Sequence, residues 1–224
     1  MNLPSAKAEG FSFCSQSFNA LSIYKKQYSM VYYNIYNYVL LVVIFMERKS
    51  GVLLHISSLW GEYSCGGFGN SAKEFIDFLS DSGFSYWQVL PFGLVDECNS
   101  PYKSYSTFAG NPYFVDLEDL NKKGLLTEAE LNEARQNTPY SCEFERLSKE
   151  RVKLLINASQ RTNAEQKSEI NAFIEKNRHL KDFCVFMALK DANENNEWTC
   201  WEKYTYNENI EFGWRFIQYE FFTQ

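Results

Sequence analysis

SGVLLHISSL (residues 50–59), SAKEFIDFLSDSG (residues 71–83) and YWQVLP (residues 86–91) decide the fold between them. GVLLHI (residues 51–56) and YWQVLP are almost continuously apolar, as strands covered on both faces are. In the middle stretch Ala72, Phe75, Ile76 and Leu79 fall at helical spacing, with Phe78 beside them. Ser71 and Glu74 form a capping-box pattern, and Gly83 stands where a helix would stop. Strand, helix and strand within about 40 residues predict a βαβ unit with a parallel pair.

Downstream, YFVDL (residues 113–117) reads as a third strand, and after it the pattern turns helical. Thr127 with Glu130 opens one short helix by capping logic. Phe144, Leu147, Leu154, Leu155 and Ala158 mark a longer one. Phe173, Ile174, Leu180, Phe183 and Met187 mark a third, with a break near Asn177 and Arg178. A polar stretch carrying Trp198 and Trp201 follows. In the last segment Ile210, Trp214, Ile217 and Phe221 form an apolar stripe with no Gly, Pro or basic residue after it. The expected organisation is α/β: residues 46–118 the βαβ part, 119–209 a helical insertion, and 210–224 a helix expected to continue.

Upstream, residues 1–45 behave differently. VYYNIYNYVLLVVIF (residues 31–45) is apolar but only 15 residues long and carries Asn34 and Asn37. A spanning helix needs about 20 apolar residues. Lys25 and Lys26 precede the run, yet no small-residue cleavage site follows it. The preferred reading is an extension upstream of a true start at Met46, with a membrane anchor as its competitor.

Composition narrows the function. The chain has 224 residues, 45% hydrophobic and 22% charged, with a net charge of −6. An acidic chain without a Lys/Arg block disfavours nucleic acid and anionic membrane as partners. Aromatic residues make up 17% of it, enough for a large core and for flat ligand faces. The six cysteines are widely spaced without a C-x-x-C, and His55 and His179 are the two histidines. That pattern implies reduced cytoplasmic thiols and no zinc site.

Beyond these readings, the chain from residue 50 onward resembles the 4-α-glucanotransferases, the amylomaltase or disproportionating-enzyme family. SGVLLHISSL looks like the first barrel strand and its loop, and YWQVLPFG (residues 86–93) like the second strand. NSPYKSYSTFAGNPYFVDLEDL (residues 99–120) looks like the family's signature loop. FMALK (186–190), WTCW (198–201) and FIQYEFFTQ (216–224) follow in the family's order. The resemblance implies an incomplete (β/α)8 TIM barrel, first strands only, with a helical insertion subdomain. It also implies transfer of α-1,4-glucan segments to a new 4-hydroxyl with retention. The implied partners are α-1,4-glucans, maltooligosaccharides and glucose as acceptor, with no cofactor. The family's catalytic carboxylates belong to later strands, so no residue of this chain is expected to be catalytic.

Resemblance points to Ser100 and Tyr102 as substrate-binding residues. A Tyr ring can stack on the C–H face of glucose, a Ser hydroxyl can both donate and accept, and Pro101 stiffens the loop. Asn99, where the family often has Asp, and His55, after the first strand, are further substrate-side candidates. The region before them, LVDEC (residues 94–98), lacks the Tyr that some relatives link to a second glucan site. Asp96 and Glu97, adjacent in a loop, form a poor acid/nucleophile pair because neighbours seldom converge on one atom. Asp116 is expected to bind backbone N–H groups, and Asn111 to form a turn. The competing function is a glucan-binding module without chemistry.

Overall fold

In the computed structural model, which describes residues 48–224 except 97, 137 and 139, β1 (Gly51–Leu53) and β2 (Tyr86–Gln88) run parallel. Gly51 lies opposite Tyr86, Val52 opposite Trp87 and Leu53 opposite Gln88. The readings of residues 1–45 and of Glu97 fall outside the described residues. The crossover between the strands is α1 (Asn70–Asp81). It buries Ala72, Phe75 and Leu79 and packs the Phe75 ring edge-on against Trp87 at 5.0 Å. Gly83 ends it at φ +76°, a conformation only glycine adopts without strain.

Three local readings are corrected. The strands are short and not covered on both faces: Leu53 is 60% and Tyr86 61% exposed. Only the Val52/Trp87 side meets α1, and β1 and β2 pair only with each other among the described residues. The Ser71/Glu74 capping box is not used. Gly69 is the N-cap and makes no side-chain bond. The Asp116 carboxylate stands against Gly69 instead, 3.2 Å from where a Cβ would lie, and brings negative charge to the helix N-terminus. Residues 113–117 are not a strand. Asn111 caps a 3-10 turn at Pro112–Phe114, accepting from the Tyr113 N–H at 3.0 Å. Asp116 then caps α2 (Leu117–Lys122) by accepting from the Glu118 N–H. Two side-chain caps five residues apart leave no extended stretch between them.

The helices follow the sequence closely. Thr127 and Glu130 close a reciprocal capping box at α3 (Glu128–Ala134). Such a cap is worth about 1 kcal/mol. Next come α4 (Phe144–Ser159), α5 (Ala164–Lys176) and α6 (Arg178–Ala192), the last two divided at Asn177. Lastly, α7 (Glu208–Thr223) packs against α4, α5 and α6. Phe216 and Ile217 of α7 are fully buried with Leu155, Ile174 and Leu180. Each such side chain contributes about 1.5–3 kcal/mol.

The loop between β2 and α2 is tied to α7 by two glutamine clamps. The Gln218 side chain, fully buried, accepts from the Gly110 N–H at 2.8 Å and donates to the Gly110 carbonyl at 3.0 Å. Gln224 accepts from the Asp116 N–H at 2.7 Å and donates to the Asp116 carbonyl at 3.4 Å. Each amide replaces a strand partner for one residue of irregular backbone. Gly110 also packs under the Phe221 ring, 2.2 Å from where a Cβ would sit.

Candidate functional site

The candidate residues sit after the carboxyl ends of the two parallel strands, where open α/β sheets and barrels present ligand groups. Beyond β1 the ladder extends one step, with the Leu54 N–H donating to the Gln88 carbonyl at 3.0 Å. The Trp87 Nε1–H donates to the Leu54 carbonyl at 2.7 Å. His55 follows, extended, leading into a 3-10 turn at Ile56–Ser58. Its ring stacks on Phe92 at 5.8 Å and meets Phe114 edge-on at 5.5 Å. Burial lowers its pKa, and its Nδ1 is buried with no hydrogen-bond partner among the described residues. His55 is therefore a neutral aromatic wall.

After β2 the chain turns out and back as a narrow ribbon. Antiparallel bridges join Gly93 to Gly110 and Val95 to Ser104. The tip is built from local bonds. Asp96 accepts from the Cys98 N–H at 3.0 Å, and its backbone carbonyl accepts from Asn99 at 3.0 Å. Asn99 adopts φ +53°, which Asn tolerates better than most residues. The Ser100 Oγ accepts from the Tyr102 N–H at 3.4 Å, and the Ser100 carbonyl accepts from the Lys103 N–H at 3.1 Å. A 2.6 Å ion pair between Lys103 and Asp96 closes the base. Hydrogen bonding from Lys103 holds the Asp96 carboxyl below its ordinary range. The tip thus presents Tyr102 75% exposed.

Tyr102 borders a cavity of about 560 Å³ walled by Phe92, Pro101, Phe108, Phe221 and Phe222. Phe92 links this cavity to His55. Asn99 faces elsewhere, lining a cavity of about 500 Å³ with Asp96, Lys149, Lys190 and Trp214. Ser100 is tied to Tyr102 through its Oγ. Tyr102 and Asn99, three residues apart, thus serve separate cavities. The sequence reading missed Phe221 and Phe222 as cavity walls, having counted Phe221 only as part of the apolar stripe of α7. A glutamine on that stripe, Gln218, was the available signal that the helix face meets backbone there. Elsewhere, Trp201 packs on Phe186 at 5.3 Å, whereas Trp198 is exposed.

The sequence profile of the family described as 4-alpha-glucanotransferase matches residues 54–224. The chain belongs to the 4-alpha-glucanotransferase family. A 4-alpha-glucanotransferase of Clostridium butyricum is 40% identical over 186 residues, covering 76% of this chain and 38% of the relative. One from Thermus thermophilus is 34% identical over 157 residues, covering 70% of this chain and 31% of the relative. The amylomaltase of Streptococcus agalactiae, solved in complex with acarbose, superposes with a TM-score of 0.70 at 26% identity, covering 79% of this chain and 39% of that one. The amylomaltase of Corynebacterium glutamicum shares the fold, with a TM-score of 0.59 at 14% identity over 77% of this chain and 26% of that one. This glucanotransferase-family chain spans 31–38% of the length of these curated relatives. No helix among its described residues is long and apolar enough to cross a membrane.

Proposed function

We propose that the chain is a glucan-holding part of a 4-α-glucanotransferase, with Ser100 and Tyr102 contacting bound α-1,4-glucan. The observation that carries this reading is Tyr102, exposed on a braced tip beside an aromatic-walled cavity at the carboxyl ends of parallel strands. The Tyr102 ring would stack on a sugar C–H face, and its hydroxyl would bond to a sugar oxygen. Ser100 would add a hydroxyl contact from the same tip. His55 would act through Phe92, and Asn99 from the far side of the ribbon.

The transfer itself would be retaining, with a carboxylate nucleophile and an acid/base about 5–5.5 Å apart. In this reading those carboxylates are supplied by sequence other than this chain, and glucose or a maltooligosaccharide is the acceptor. The βαβ unit would be the opening of a (β/α)8 barrel, with residues 119–209 as its helical insertion. The apolar residues exposed on β1, β2 and α1, Leu53, Tyr86, Ile76 and Phe78, support that reading. Free thiols at Cys65, Cys98, Cys142, Cys184 and Cys200 support a reducing, cytoplasmic setting.

The test is incubation of the chain with maltooligosaccharides, reading both binding by calorimetry and release of glucose. Saturable binding without glucose release is expected. Glucose release would place the reacting carboxylates within this chain. Absence of binding would overturn the glucan-holding role.

A further inference from the structure

Two cysteines far apart in sequence face each other across a pair of hydrogen-bonded segments. The Glu143 N–H donates to the Ser64 carbonyl at 2.8 Å, and the Ser64 hydroxyl donates to the Glu143 carboxylate at 3.3 Å. Cys65 follows Ser64 and Cys142 precedes Glu143, so each cysteine adjoins one side of that contact. Cys142 packs against the buried cluster that holds Cys65, whose Sγ lies 3.2 Å from the Gly66 carbonyl and 3.6 Å from the Tyr113 carbonyl. Both border one cavity of about 750 Å³, along with Ser57, Trp60, Tyr140 and Phe144. Cys65 is buried and Cys142 half-buried.

The surroundings treat the two sulfurs differently. The Arg151 guanidinium is buried beneath Cys65, where it donates to the carbonyls of Tyr113 and Val115 at 3.3 and 3.4 Å. The neighbouring Cys142 and the charge of Arg151 outweigh burial and lower the Cys65 pKa. The same pairing with Cys65, together with burial, pushes the Cys142 thiol up. Of the two, Cys65 is thus the more readily deprotonated and the better nucleophile.

We propose that Cys65 and Cys142 form an oxidisable dithiol that hydrogen peroxide converts into a disulfide. Cys65 gives up its proton and its sulfur attacks one peroxide oxygen. A sulfur–oxygen bond forms, the oxygen–oxygen bond breaks, and the departing hydroxide takes the proton that Cys65 released to become water. The Cys142 sulfur then attacks the Cys65 sulfenic acid. The sulfur–sulfur bond forms, the sulfur–oxygen bond breaks, and the leaving hydroxide takes the Cys142 proton as a second water. Two thiols and one peroxide give one disulfide and two waters. The bond would fasten the loop around Cys65 to the segment entering α4.

Peptide mapping of the full chain tests this. The chain is treated with a few equivalents of hydrogen peroxide, alkylated and digested, and the peptides are weighed. The expected product is a linked Cys65–Cys142 peptide pair, two hydrogens lighter than the sum and separated by dithiothreitol. The exposed Cys98 and Cys200 serve as internal references. In Cys142→Ala the expected product is a sulfenic acid on Cys65, captured by dimedone. Recovery of Cys65 and Cys142 as separately alkylated peptides, while Cys98 or Cys200 is oxidised, would overturn the proposal. So would a linked pair joining either residue to another cysteine.

Discussion

The four-helix packing of α4 to α7 and the βαβ unit use apolar residues in opposite ways. In the helices, Leu155, Ile174, Leu180 and Phe216 are sealed from solvent and touch partners on neighbouring helices. In the βαβ unit, Ile76 and Phe78 of α1 lie exposed, Phe78 stacked at the rim on Phe75 at 6.1 Å. One region is held by its own packing, whereas the other depends on α1 covering one side of a two-stranded sheet. Hydrogen exchange should therefore be slower in α4 to α7 than in β1, α1 and β2. The mutational form of the contrast is larger. Phe216→Ala should lower unfolding free energy by about 3–5 kcal/mol, as cavity-forming aromatic truncations do. Phe78→Ala should change it by less than about 0.5 kcal/mol. Urea unfolding of both variants checks this, and equal losses would break the contrast.

The regions meet at the glutamine clamp, which supplies the next effect. Gln218→Ala would leave the Gly110 N–H and carbonyl buried without partners. The loss should be about 2 kcal/mol, from the desolvation of unpaired backbone groups. Exchange at the Gly110 amide should accelerate more than exchange within α7. If both accelerate equally, the clamp stabilises the helix packing as a whole and does not single out the ribbon.

What could be read ahead in the chain follows the range of the interactions. Thr127 and Glu130 are three residues apart, and their capping box was plain. The break at Asn177 and the βαβ crossover were equally local. Ser71 and Glu74 had the same spacing, but the Asp116 carboxylate occupies that helix end from 45 residues away, and no local pattern announces it. The false strand at residues 113–117 has the same origin. Its apolar side chains fit a strand, but Asn111 and Asp116 commit the backbone to two successive caps. At the site, the SPY tip was identifiable from its motif. The separation of Asn99 from Tyr102 was not, because it depends on the left-handed turn at Asn99 and the bridges that narrow the ribbon.

A smaller effect belongs to the joint between α3 and the end of α4. Arg161 donates two bonds to Glu130, at 2.9 and 2.8 Å. They hold the Glu130 carboxyl at about 2, below its ordinary 4.5. The pair therefore stabilises the fold fully above pH 4.5, and that contribution fades as pH falls towards 2. Solvent reaches both side chains, so the contribution is about 1 kcal/mol. Arg161→Met should lower stability at neutral pH by that amount and flatten its acid dependence. Unfolding midpoints measured from pH 6 downward check the sign, and an unchanged acid slope would assign the stability of this joint to apolar packing alone.

The smallest expected change in stability is at Tyr102, where the contrast between regions becomes a contrast between stability and function. The ring is mostly exposed, so Tyr102→Ala should shift unfolding by less than about 0.5 kcal/mol. Its effect on glucan binding should be larger, because a stacking ring supplies about 0.5–1.5 kcal/mol, or roughly a twofold to twelvefold change in affinity. Tyr102→Phe divides that effect. If the ring face does the binding, Phe keeps most of the affinity that Ala loses. If the hydroxyl does it, Phe and Ala lose alike. A maltooligosaccharide titration of the two variants beside the unaltered chain separates these cases. Unchanged affinity in Tyr102→Ala would move the binding surface to Phe108 and Phe222, which wall the same cavity and owe their place to the loop and to α7.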